Sequence, residues 1–332
     1  MPSSRLLVLI FLALLPCFAV EIYNQTAARW AGQAQIEENA LRMTKFFGAQ
    51  QDRVVEGAQQ LLITLSNLES VRTQDSATCA RQFTRLLPNY PGYLAFTAYA
   101  LDGRPFCSSI ASAARAEDKS FFRMTVENKR FTIGSYATDR AVGILPFAHP
   151  ILSESGELLG VVEAQLKLAW LEAYFKDQLL LSKRGASLTI SDRYGTLLVR
   201  LPRSGKIGKT LPDSYRSVLS SEKEGTLVDN AFDGVSRVIG YVPVGLPPAA
   251  DFFVSAGLSE ADALAPLNAA AYRGLALMAL AVVAGIAIAI GWARRYPAPE
   301  AERNPIVEDP QPADETRTRI ALVKTGTNNI GG

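Results

Sequence analysis

Twenty consecutive residues without a charge, Gly274 to Ala293 ("GLALMALAVVAGIAIAIGWA"), limit what this chain can be more than any other feature. A hydrocarbon core needs about 20 apolar residues in a helix to cross it, and this run supplies them. Arg294 and Arg295 follow at once, which marks the cytoplasmic side, while Trp292 and Tyr296 suit the lipid–water boundary. The run reads as a transmembrane helix. A second apolar block, Leu6 to Val20, is fifteen residues long and follows Arg5. That is short for a span, so over residues 1–20 a cleaved signal peptide competes with an uncleaved anchor. Cys17 and Ala19 could serve a cleavage site, and Pro16 argues against a lipoprotein site at Cys17. We expect a retained anchor, with both termini in the cytoplasm and residues 21–273 in the periplasm of an inner (plasma) membrane protein.

The 34 basic and 32 acidic side chains give a net charge of +2, which offers no basic excess for binding nucleic acid. Only Cys79 and Cys107 lie between the two apolar blocks. In an oxidising compartment two lone cysteines pair, the alternative being two unpaired buried thiols. The bond would tie the start of a helix, "CARQFTRLLPNY", to the end of a hairpin strand.

From Asn24 to Leu68 there is no proline, and Val54, Ala58, Leu61, Leu65 and Leu68 recur at helical spacing. This predicts a long stalk helix, assigned to 21–78, whose stripe covers its own domain and, nearer the membrane, a second copy of the chain. Beyond it "YLAFTAYALDGRPFCSS" reads as a hairpin about Asp102-Gly103, with Tyr93, Ala95, Thr97 and Tyr99 on one face. "KSFFRMTVENK" reads as a helix, "VGILPFAHPIL" and "LLGVVEAQLKL" as a strand pair, and "AWLEAYFKDQLLL" as a helix. A smaller cycle follows: "ASLTISDRYGTLLVRLP", "DSYRSVLSS", a hairpin around Asp233-Gly234, and "FFVSAGLS". The pattern predicts an α+β fold with two antiparallel-sheet modules, 79–181 and 182–273, the first the larger.

Together with the phrases "DKSFFRMTVENKRFTIGSYATDRAVGILPFAHPILSESGELLGVVEAQLKLAWL", "GTLLVRLPRSGKIGKTLPD" and "EGTLVDNAFDGVSRVIGYVPV", this order resembles the double Cache sensor domains of bacterial membrane receptors. The nearest in pattern are those attached to diguanylate cyclases and histidine kinases. The resemblance covers nearly all of residues 21–273. It implies a long helix packed on two PAS-like modules, a cysteine pair like Cys79 and Cys107, and a ligand site in the membrane-distal module. Many amino-acid-binding members carry an Arg-x-Trp-aromatic motif with a later Tyr and Asp. Here Arg123 is followed by Met124, Thr125 and Val126, so the tryptophan is absent, while Tyr136 and Asp139 are present at another spacing.

Several residues are therefore candidates for a ligand site. Glu163, Gln165 and Lys167 share one face of their strand, open either to solvent or to a ligand. Tyr136, beside Gly134 and Ser135, is the leading pocket residue, with Arg123, Asp139 and Tyr99 around it. His149, the only histidine, reads as a packed strand residue or a ligand contact. The segment Ile110–Val142 carries Arg115, Lys119, Arg123, Lys129, Arg130 and Arg140 against Glu117, Asp118, Glu127 and Asp139. That balance points to a small, polar, carboxylate-bearing solute. No His/Cys metal cluster, calcium loop, phosphate loop or nucleophile elbow is present, so neither a cofactor nor an enzyme activity is expected. After the membrane, residues 294–332 are proline-rich and polar and read as a disordered tail. Pro297 and Pro299 would break a signalling helix, so we expect the output domain of the receptor to be missing. The alternative is a solute-binding membrane protein that sends no signal.

Overall fold

The computed structural model describes residues 2–111, 113–116, 119–182, 185–202, 205–230, 234–246 and 251–295. Two compact units are present. One comprises Ala13–Ala281 and holds both sheets; the other comprises, among the described residues, 2–12 and 282–295. The tail from residue 296 and Asp233 lie outside the described residues.

Helix α1 runs from Pro2 to Ser66, with Pro16 inside it and no proline from Asn24 onward. Its expected stripe is the buried one: Ala58, Leu61 and Leu65 sit in the main core with Leu62. The helix ends at Ser66 and does not reach residue 78. A single turn, α2 (Glu69–Arg72), follows, and α3 (Ser76–Leu86) starts afresh. The restart is set by Asp75, whose side chain accepts from the Thr78 N–H at 3.2 Å and caps the new helix.

The first sheet is antiparallel and has six strands. They are β1 (Tyr93–Ala100), β2 (Pro105–Ser108), β3 (Thr132–Ile133), β4 (Ala137–Asp139), β5 (Val142–Leu152) and β6 (Leu158–Lys167). Their order is β2-β1-β6-β5-β3, with β4 also on β5. Between β2 and β3 the chain forms α4 (Ser120–Asn128), and after β6 it forms α5 (Leu168–Ser182). Cys79 of α3 and Cys107 of β2 form a disulfide, both buried, with their Cα atoms 5.9 Å apart.

The second sheet comprises β7 (Ser187–Asp192), β8 (Leu197–Leu201), β9 (Gly225–Asp229), β10 (Arg237–Val242) and β11 (Phe252–Ser259), in the order β8-β7-β11-β10-β9. A short helix, α6 (Arg216–Leu219), lies between β8 and β9. One apolar core joins both sheets to the helices: Phe96, Phe147 and Leu166 from the first and Leu188, Ile190 and Val254 from the second meet Phe47, Leu62 and Phe175. The backbone of α1 rests directly on β10. A Cβ at Gly240 would fall 2.6 Å from the carbonyl of Ala40 and from Leu41 N, so only glycine fits. Thr44 completes the joint: its Oγ1 lies 2.9 Å from Gly240 O and accepts from Ala256 N at 3.1 Å.

The expectation that Tyr93 shares a face with Thr97 and Tyr99 fails at a β-bulge. Tyr93 pairs with Leu166 and Phe96 with Ala164, three steps on β1 against two on β6. The extra residue turns Tyr93 to the helix-covered side, where its ring lies 5.5 Å from that of Phe96. Helix α7 (Glu260–Arg295) continues from β11 without a break, and its segment Glu260–Ile288 is long and apolar enough to cross a membrane.

Candidate ligand-binding site

The outward face of the first sheet is polar at its centre. Thr97 pairs with Glu163, and Glu163 with Ala148, so β1, β6 and β5 bring these side chains to one side, with Tyr99 and Gln165 two residues along. Helix α4 covers one end of this face with Phe121 and Phe122, which pack on Tyr99, Ala148 and Val161. Over the rest lies a cavity of about 360 Å³. Its floor is Tyr99, Glu163 and Gln165; its walls include Lys119, Ser120, Ser135, Tyr136 and Asp139.

Glu163 is 1% exposed. The Tyr99 hydroxyl donates to its Oε2 at 2.7 Å, and Gln165 Nε2 reaches both carboxyl oxygens at 3.4 Å. Burial pushes the Glu163 carboxyl up from its ordinary range; the Tyr99 hydrogen bond and the charge of Lys119 oppose this, and Asp139 adds to it. Burial, and then the facing carboxylate, push the Tyr99 phenol far above its ordinary value, so it keeps its proton and donates it to Glu163. Gln165 Oε1 is buried and has no hydrogen-bond partner among the described residues. The lining thus sets the carboxyl groups of Glu163 and Asp139 against Lys119, with an acceptor left over on the floor. Such a floor suits a cation or a multiple N–H donor.

Asp139 is held at the rim by a tight β4–β5 hairpin. Arg140 and Ala141 form its turn with φ of 49° and 62°, left-handed values that Asn-Gly would adopt at less cost. Tyr136 stands between the cavity and the second sheet's module. A Cβ at Gly208 would come within 2.7 Å of the Tyr136 hydroxyl oxygen, so the hydroxyl end of the ring lies against that glycine.

No family model matches the sequence, and no curated protein matches it. Solved structures do. An extracellular domain assigned to a histidine kinase, rpHK1S-Z16, matches with a TM-score of 0.57 at 20% identity, over 70% of this chain and 98% of that one. The ligand-binding domain of the Pseudomonas fluorescens chemoreceptor CtaA, in complex with L-isoleucine, matches with a TM-score of 0.56 at 15% identity, over 72% and 98%. That of the Pseudomonas aeruginosa PAO1 amino-acid chemoreceptor PctB, in complex with L-Arg, matches with a TM-score of 0.51 at 17% identity, over 67% and 95%. The chain shares the fold of these extracellular domains, the double Cache fold.

Within this double Cache fold, Tyr99, Tyr136, Asp139, Glu163 and Gln165, all singled out from the sequence, meet in one cavity, and Lys167 is not among its lining residues. Arg123 and His149 do not reach it either. Arg123 lies on the exposed face of α4, because the helix turns Phe121, Phe122 and Thr125 inward and leaves position 123 outside. His149 pairs with Val162, a core residue, and so faces the helix-covered side of the sheet. There it is half-buried, its Nδ1 2.8 Å from Pro150 O, and burial lowers its pKa. The face bearing Glu163 and Gln165, expected to meet either solvent or a ligand, is the closed floor of the cavity. Lys119 was visible only as one of several basic residues; its place just before α4 is what brings it to the cavity. Among the described residues no group of three or more His, Cys, Asp or Glu side chains could hold a metal ion.

Proposed function

We propose that the chain is a membrane-anchored sensor. Residues 21–273 lie outside the cytoplasm, and the first module is distal to the membrane. It binds a small solute carrying both an ammonium and a carboxylate group, an amino acid or a close analogue. The observation that carries this reading is the cavity lining: buried Glu163 and rim Asp139 for the ammonium, Gln165 Oε1 as a further acceptor, and Lys119 for the carboxylate. It supports part of the sequence expectation, a carboxylate-bearing ligand, and moves the anchoring cation from Arg123 to Lys119. The complexes of CtaA with L-isoleucine and of PctB with L-Arg favour the same ligand class.

The unbroken passage from β11 into α7 favours signalling over simple solute capture, since any displacement of the second sheet passes directly into the membrane helix. The exposed side chains of Tyr23 and Trp30 on α1 support pairing of two copies along the stalk near the membrane. A thermal-shift screen of the full chain in nanodiscs against amino acids, amines and organic acids tests the reading. Amino acids should stabilise the protein, and Lys119→Gln should weaken binding roughly tenfold. Equal binding of acids that lack an amine would refute it.

A further inference from the structure

On the other side of the first sheet, α1, the loop before β1 and the start of α5 enclose a second, open groove of about 340 Å³. Four rings wall it: Tyr90, Tyr93, Trp170 and Tyr174. Trp170 and Tyr174 are stacked, with centroids 5.5 Å apart and planes at 16°, and Tyr90 meets Tyr93 edge-on at 6.3 Å. The rings are fixed in place. The Tyr174 hydroxyl donates to Gln50 Oε1 at 3.1 Å, and Gly92 lies so close under Trp170 that a Cβ there would be 2.9 Å from the indole.

The α1 wall is Arg53, Gly57 and Leu61, one helical stripe at four-residue spacing, with Val54 beside it. Its middle position has no side chain. Glycine in a helix interior is unfavourable, and it is normally explained by a close neighbour. Gly57 has none: nothing lies within 4 Å of a Cβ built there. Arg53 is exposed at one end of the groove and, among the described residues, is the only charged one lining it. Tyr93 stays a neutral phenol at physiological pH, its pKa pushed up to about 12 by burial and then by Tyr90.

We infer that this groove is a second ligand site, distinct from the cavity over Glu163, and that it takes a flat aromatic carboxylate. The ring lies over the gap at Gly57 among the tyrosines and Trp170, and the carboxylate pairs with Arg53. The inference does not depend on the ligand class assigned to the cavity.

Saturation-transfer NMR on the full chain in nanodiscs tests it, with phenylacetate, benzylamine and cyclohexylacetate as probes. Phenylacetate should bind saturably and more tightly than either of the others. Gly57→Leu, which fills the gap on a helix that favours leucine over glycine, should abolish binding while the protein remains folded by circular dichroism. Gly57→Ala, a smaller filling, should weaken it. Arg53→Gln should lower the affinity about tenfold and erase the preference over benzylamine. Three results would overturn the site: no saturable phenylacetate signal; binding lost in Lys119→Gln but kept in Gly57→Leu, which would place the probe in the cavity; or a dimer that Gly57→Leu dissociates without phenylacetate binding, which would make the groove a contact between copies.

Discussion

The outward faces of the two sheets share a strand order and differ in charge. In each, the hairpin's inner strand lies beside the sheet's last strand, β1 beside β6 and β7 beside β11. On the first face this pair presents Tyr99, Glu163 and Gln165 to a cavity. On the second, β7, β8 and β10 bury Thr189, Arg200 and Arg237 beneath Tyr215. Arg200 Nη1 donates to Thr189 Oγ1 at 2.6 Å and Arg237 Nε to Gly185 O at 3.0 Å, so these cations direct hydrogen bonds at the chain itself. Tyr215 closes over them, its ring 6.0 Å from that of Phe253. Burial lifts its pKa to about 12, with the two arginines opposing. One topology thus serves two ends. Arginines that bond to their own sheet belong to a structural layer, whereas polar groups that line a cavity make a binding floor.

The modules also differ in how they are fastened, and this gives the largest expected effects. Only the first is stapled, by Cys79–Cys107. Replacing both cysteines by alanine should cost about 3 kcal/mol in denaturant unfolding. Hydrogen exchange should locate the loss in α3 and β2 and leave β9–β11 protected. Equal loss in both sheets would show that the modules do not open separately. The second sheet is instead fastened by the close approach of α1 at Gly240. Gly240→Ala should cost about 2 kcal/mol through the forced separation of helix and strand, with the exchange pattern reversed.

A smaller effect follows from the charge difference. The raised pKa of Glu163 means that the fold favours its neutral form. Its contribution to stability is present below the ordinary glutamate range and is lost as pH rises through the raised value. Glu163→Gln, which stays neutral, should therefore raise the melting temperature of the ligand-free protein by a few degrees at pH 8 and leave it unchanged near pH 4. A pH profile unaltered in Glu163→Gln would mean that Glu163 is not the titrating group.

Much of this was legible in sequence because it is local. Helix periodicity, the Asp-Gly turn, alternation along β6 and the lone cysteine pair each depend on neighbours in the chain. What escaped depends on partners far along it. The bulge that reverses Tyr93 is a mismatch between β1 and β6, and Gly240 makes sense only when Ala40 lies on it. The burial of Glu163 could not be read from an alternating strand, since the layer that covers it comes from residues 110–139.

The smallest expected effect separates two residues one turn apart. Basic residues crowd the segment that covers the first sheet, and charge alone does not say which of them reaches the ligand. Arg123 N–H donates to Lys119 O at 3.3 Å, so the two belong to the same helical turn, yet they differ in direction. Lys119 stands at the cavity wall, its Nζ 5.8 Å from the centre of the Phe121 ring. Arg123 points to solvent on the outer face of α4 and makes no salt bridge among the described residues. Arg123→Ala should therefore change stability by less than about 0.5 kcal/mol and leave ligand affinity where it was. Calorimetric titration of the two alanine variants side by side checks this. An affinity loss in Arg123→Ala matching that in Lys119→Ala would show that α4 rotates on binding, and that the ligand-free cavity is not the geometry the ligand meets.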